Sequence, residues 1–176
     1  MTGLLSKFRV GFALGLPNVA RAVGYRLGVQ LGLNPVRRLQ AKTPLGPFFD
    51  TQLSQGSTTD TPPLWVSSAL IFSYWPIAVS NQPPDWLANP LTGKRVPEPD
   101  REWWQISDFD PEVGDIKLIW ELSRFDWVLA FAKSAQGGDG GSLSKLNAWL
   151  SSWCESNPPY KGPNWKCGQE ASIRVM

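Results

Sequence analysis

Glu121 and Arg124 stand three residues apart, with Lys117 four residues ahead of the glutamate, so a helix through them carries one charged stripe. Such a stripe can line a cleft, where the planar Arg124 fork pairs with a carboxylate or sulfate. The same spacing also serves as an ion-pair ladder contributing about 0.3–0.5 kcal/mol per pair. Glu170 and Arg174 repeat the i, i+4 spacing with the acid first, the favourable order. Ten tryptophans, among them Trp86, Trp103, Trp104, Trp120 and Trp165, add large faces that stack on the C–H face of a sugar or fill a core. Asp108 and Asp110 are paired carboxylates in a loop, where solvated turn formation is the commoner role.

What is missing narrows the chemistry further. The chain has no histidine, so Ser-His-Asp triads, Cys-His dyads and His-ligated zinc or iron are excluded within it. Cys154 and Cys167, with 12 residues between them, form no CxxC pair and make no standard zinc site. Free thiols are the default expectation. No GxGxxG or GxxxxGK[ST] motif is present, and the glycines at 137–141 read as a flexible turn. No cofactor, metal or nucleic-acid partner is expected.

The elements that must position these residues follow from proline and periodicity. Among 176 residues, 11 of the 16 prolines fall between Pro44 and Pro111, and none occurs from Glu112 to Asn157. The middle is therefore irregular and the following stretch helical. Ile116, Ile119, Trp120, Ser123, Trp127, Ala130 and Phe131 keep a helical period, as do Leu118, Leu122, Phe125 and Leu129, which predicts one buried helix over 115–135 capped by Asp115. Leu146, Trp149, Leu150, Trp153 and Cys154 predict a second over 142–156, capped by Ser142. A third is expected over 165–176 with Asn164 as its cap; it has no stop signal, so the chain reads as ending in mid-helix, a fragment of a longer protein. Leu64 to Tyr74 reads as the one convincing strand, and residues 50–62 as a surface loop.

Residues 1–42 form a basic arm with seven lysines and arginines and no acid, leaving ten basic against fifteen acidic residues in the remainder. A helix is expected over 18–32, with a short second one from Asn34-Pro35. Lys7, Arg9 and the apolar run to Leu16 imitate a signal peptide, but Pro17 ends the run early. No run approaches a membrane span, and no membrane partner is expected. The divisions are thus 1–42, a basic helical arm; 43–111, an irregular Pro/Trp-rich segment; and 112–176, helical, within one domain overall.

Trp103-Trp104-Gln105-Ile106 through Gly114-Asp115-Ile116-Lys117, then Trp120-Glu121-x-x-Arg124, Asn157-Pro158-Pro159, Asn164-Trp165 and Glu170-x-x-x-Arg174, form an ordered set. Over residues 85–176 this set resembles the N-terminal domain of the heparinase II/III family of polysaccharide lyases. The resemblance implies a mainly α fold, an incomplete (α/α) toroid of helical hairpins, continued by a missing C-terminal toroid and β-sandwich. It implies β-elimination on uronate-containing acidic polysaccharide and a periplasmic location, with a cytoplasmic one as the alternative because the signal-peptide pattern is incomplete. Family members place the catalytic Asn, His and Tyr beyond the matched region, so no catalytic residue is carried over. Glu121, Arg124, Asn164, Trp165, Glu170 and Arg174 are the expected substrate-binding residues, lining or bracing a cleft. The alternative is a non-catalytic carbohydrate-binding or scaffold module.

Overall fold

A computed structural model of the chain describes residues 13, 15–50, 65 and 68–175. The loop expected over 50–62 and the apolar run before Leu16 lie almost wholly outside the described residues. The chain divides into two compact units, Met1–Gln40 and Ala41–Met176.

In the first unit, helix α1 runs Leu16–Gln30 with Pro17 in its first turn, where the missing N–H costs no intrahelical bond. Asn34 opens a short 3-10 turn, Pro35–Arg38, by accepting a 3.0 Å hydrogen bond from Val36 N. Both elements lie close to where the sequence predicts them.

The second unit begins its regular structure with a hairpin, β1 (Ser68–Ile71) paired antiparallel with β2 (Trp75–Ala78), Ile71 opposite Trp75. Ala69 and Ile71 point inward and are buried, while Ser68 and Leu70 alternate outward. A second, minimal pair follows, β3 (Phe109–Asp110) with β4 (Gly114–Asp115). Helices α2 (Lys117–Leu122), α3 (Asp126–Gln136), α4 (Gly140–Ser156) and α5 (Gly168–Ile173) complete the unit.

The expected toroid of helical hairpins does not form. The unit is mixed: α3 and α4 pack as one hairpin, accompanied by two small antiparallel sheets and long irregular stretches. Prolines 83, 84, 90, 97 and 99 interrupt the segment that would have to supply a further hairpin, and α2 and α5 are only six residues each. The single helix expected over 115–135 is likewise two helices. Phe125 stands between them in the left-handed region at φ 68°, held by edge-on contacts to Trp127 at 5.3 Å and Trp153 at 5.0 Å. The last helix is shorter than expected, and its start at Gly168 leaves Asn164 in a separate 3-10 turn, Pro163–Trp165.

Caps also move. Asp139, not Ser142, caps α4, accepting from Gly141 N and from the Ser142 hydroxyl. Asp115 precedes α2 by two residues and accepts from Lys117 N.

The core is aromatic. Trp86, Trp127, Trp149 and Phe131 meet at centroid distances of 5.0–6.0 Å, with Leu122, Leu143, Leu146, Leu150 and Trp153 around them. A smaller cluster of Ile106, Ile116 and Trp120 sits beside Cys167. Both cysteines are free thiols. Among the described residues no helix is long and apolar enough to cross a membrane.

Candidate functional site

Glu121 is on α2 and is buried, an expensive place for a carboxylate unless each oxygen has a donor. Its Oε1 accepts from Arg124 Nη1, and its Oε2 accepts from Phe72 N at 2.8 Å, at the turn of the β1–β2 hairpin. Arg124 lies beyond the end of α2, in the link that the left-handed Phe125 creates. From there its guanidinium also reaches α5: Nη2 donates to Glu170 Oε1 at 2.8 Å and Nε to Glu170 Oε2 at 3.0 Å. One arginine thus ties two carboxylates, and all four carboxylate oxygens are occupied.

The hydrogen bond to Glu170 is the main influence holding the Arg124 guanidinium's pKa above its ordinary value; burial opposes it and the Glu121 charge assists. Arg174 shows the reverse balance. Burial brings its pKa down to about 10, with the Glu170 charge opposing that fall. It does not form the expected i, i+4 pair with Glu170. Its Nε donates to Ser123 O at 2.8 Å and its Nη1 to Asn164 O at 2.7 Å, while the guanidinium carbon lies 5.3 Å from the centre of the Trp153 ring. The backbone carbonyls take the role that the sequence assigned to the carboxylate.

Asn164 is fully buried in the Pro163–Trp165 turn, entered through Gly162 at φ 75°. Its Nδ2 donates to Asn157 Oδ1 at 2.8 Å and to Trp86 O at 3.2 Å. Asn157 in turn donates to Trp153 O at 2.8 Å, and its own carbonyl accepts from Trp165 Nε1 at 3.1 Å. Trp153 Nε1 donates to Ser123 Oγ, which closes the circuit onto the α2–α3 link. Two buried atoms, Asn164 Oδ1 and Arg174 Nη2, have no hydrogen-bond partner among the described residues.

The six residues singled out from the sequence therefore fall into two bonded groups, Glu121–Arg124–Glu170 and Asn164–Trp165–Arg174 with Asn157, which adjoin where Ser123, bonded to Arg174, precedes Arg124 in the chain. Lys117 belongs to neither; it is exposed and only 3.9 Å from Asp115. Sequence reasoning missed Phe72, Ser123, Trp153 and Asn157 as members. Asn157 opens the Asn-Pro-Pro motif and had a signal, whereas Phe72 N is a backbone donor that no side-chain pattern announces.

The network is largely closed to solvent. The Arg124 side chain is 28 % exposed, against 8 % and 6 % for Glu121 and Glu170. A cavity of about 240 Å³ among Val96, Arg101, Ile106, Asp110 and Ile116, and a second of about 470 Å³ along Pro76, Pro84, Asn89 and Leu122, include none of the six. Chemically the arrangement is a brace: its carboxylates are engaged and have no free oxygen for proton transfer. No cluster of three potential metal ligands occurs among the described residues. No family model, curated protein or solved structure matches the chain.

Proposed function

We propose that this chain is the N-terminal part of a heparinase II/III-like polysaccharide lyase, acting with the rest of that protein on uronate-containing acidic glycan in the periplasm. Its own share is non-catalytic: it holds glycan and braces the site while residues outside it remove the proton. One observation carries the reading. Residues of Trp-Glu-x-x-Arg, Asn-Pro-Pro, Asn-Trp and Glu-x-x-x-Arg, scattered over 55 positions from Trp120 to Arg174, gather into two hydrogen-bonded groups, Glu121–Arg124–Glu170 and Arg174–Asn164–Asn157–Trp165, that adjoin through the chain neighbours Ser123 and Arg124. That motifs far apart in sequence supply adjoining bonded groups supports reading them as a set.

The division of labour follows from β-elimination. That reaction needs a base at the proton next to the uronate carboxylate, a group that neutralises the carboxylate, and an acid for the departing oxygen. This chain has no histidine, and its engaged glutamates offer no free base. The same saturation supports the second reading, a stand-alone carbohydrate-binding or scaffold module.

The test incubates the purified 176-residue chain with heparan sulfate, chondroitin and alginate, following retention on immobilised polymer and the ultraviolet absorbance of the unsaturated product. Retention without absorbance is expected. Turnover by the chain would overturn the non-catalytic assignment and point to a tyrosine base; failure to bind any polymer would overturn the glycan reading. A continuous reading frame that adds Asn, His and Tyr beyond Met176 separates the lyase from the stand-alone module.

A further inference from the structure

Six of the ten tryptophans spend their indole N–H inside the protein. Trp86 donates its N–H to Ser152 Oγ, Trp120 to Pro163 O, Trp127 to Leu122 O, Trp149 to Asn81 O, Trp153 to Ser123 Oγ and Trp165 to Asn157 O. These six are locked at both ends, by packing and by a polar tie.

Trp75 is different. It opens β2, is 49 % exposed, and its indole N–H has no acceptor among the described residues. Tyr74 beside it is 76 % exposed, also with no partner for its hydroxyl among the described residues. The two rings meet edge to face, centroids 5.8 Å apart and planes at 73°. Phe72, at the first central position of the turn, is a third exposed aromatic.

The tip that carries them is held in place. Tyr74 N bonds Ile71 O at 3.0 Å, closing a two-residue turn in which Phe72 and Ser73 both have positive φ, 51° and 58°. Phe72 N is tied to the buried Glu121 carboxylate, and Ile71 and Ala69 anchor the hairpin from below. The arrangement is a preorganised aromatic corner with two free polar handles. It lies in a stretch, Thr61 to Pro84, that contains no charged residue, so it reads ring faces and hydroxyls rather than charge.

We propose that Tyr74 and Trp75, flanked by Phe72, form a stacking platform for one pyranose ring of the bound glycan. The ring's C–H face lies on the aromatic surface, and the Tyr74 hydroxyl and Trp75 N–H bond the sugar's oxygens. This rests on the glycan-binding reading above, and it adds aromatic side chains to the charged residues that the sequence motifs mark, joined to them by the Phe72 N–H on Glu121.

The experiment is calorimetric titration of the full chain with hexasaccharides of heparan sulfate, chondroitin and alginate, taking forward whichever binds most tightly. Tyr74→Ser and Trp75→Ala should each weaken binding about tenfold, and Trp75→Phe, which keeps a ring, should restore most of it. Because stacking is not ionic, the fold-loss should persist when salt is raised to roughly 0.5 M. Equal affinity in wild type and both variants, with the chain still binding, would overturn the platform and leave the glycan reading standing. No binding by the unaltered chain to any of the three would overturn that reading and the platform with it. Tyr74→Ser guards against misfolding, since its side chain is mostly solvent-facing. A wild-type dimer abolished by Trp75→Ala, with glycan affinity unchanged, would show a protein contact instead and overturn the proposal.

Discussion

Arg124 and Glu170 lie 46 residues apart in sequence and meet fork to fork, Nη2 at 2.8 Å from Oε1 and Nε at 3.0 Å from Oε2. Because Glu170 is buried, removing its partner leaves a charge without compensation. Arg124→Ala should therefore destabilise the chain by about 3 kcal/mol, far beyond an exposed helical pair. Urea denaturation of wild type and variant measures it. A loss of a few tenths of a kcal/mol, together with a large loss of glycan affinity, would reverse the assignment and make Arg124 a ligand contact.

Asp139 supplies an acid-sensitive contribution at the start of α4. The hydrogen bond from Ser142 is the first cause holding its carboxyl below the ordinary 3.8, with the Gly141 and Ser142 amides assisting and burial opposing. A folded pKa below the unfolded one gives stability that is present above the unfolded value and lost as pH falls through the folded value. Asp139→Ala should cost about 1 kcal/mol at neutral pH. The difference from wild type should shrink below the ordinary carboxylate range; a gap that stays constant down to strong acid would show that the cap is not acting through its charge.

Ser73 adopts φ 58° at the second central position of the β1–β2 turn, a place that favours glycine. Ser73→Gly should relieve that strain and raise stability by about 0.5–1 kcal/mol, net of the added freedom of the unfolded chain. Thermal melting decides it, and a lowered melting temperature would mean that the turn is not strained.

Gly162 presents the opposite case. A Cβ there would stand 2.6 Å from Pro99 O, at φ 75°, and Gly162 N donates to Arg101 O at 2.8 Å. Gly162→Ala should destabilise by more than about 1 kcal/mol and disturb the adjoining Asn164 turn. Hydrogen exchange of the Trp120 indole N–H, whose acceptor is Pro163 O, reports the disturbance locally.

Elements governed by local rules were legible. Leu146, Trp149, Leu150 and Trp153 face the core of α4 as their period requires, and α1 and the Asn34 cap stand where expected. The toroid was not realised, and the break at Phe125 was invisible because apolar residues recur at helical spacing straight through it. The rings of Trp127 and Trp153 pack edge-on against that residue in its left-handed conformation, and Trp153 comes from the second arm of the hairpin. Membership of the charged site was legible for Glu121, Arg124, Glu170 and Arg174, but its pairing was not. Sequence spacing couples Glu170 to Arg174, whereas the tertiary fold gives it to Arg124 and turns Arg174 toward carbonyls.

The order of synthesis gives the brace a direction in time. Glu121 and Arg124 leave the ribosome within three residues of each other and can pair early, while Glu170 follows 46 residues after Arg124. The α3–α4 hairpin, built from contacts within 30 residues or so, has everything it needs before then. A nascent chain that has released only as far as Asn157 therefore holds a half-satisfied guanidinium, an indole of Trp120 without its acceptor and an Asn157 amide oxygen awaiting Asn164. Translation of the next seventeen residues converts that exposed polar edge into interior, so a segment made later is the one that seals the first charges buried.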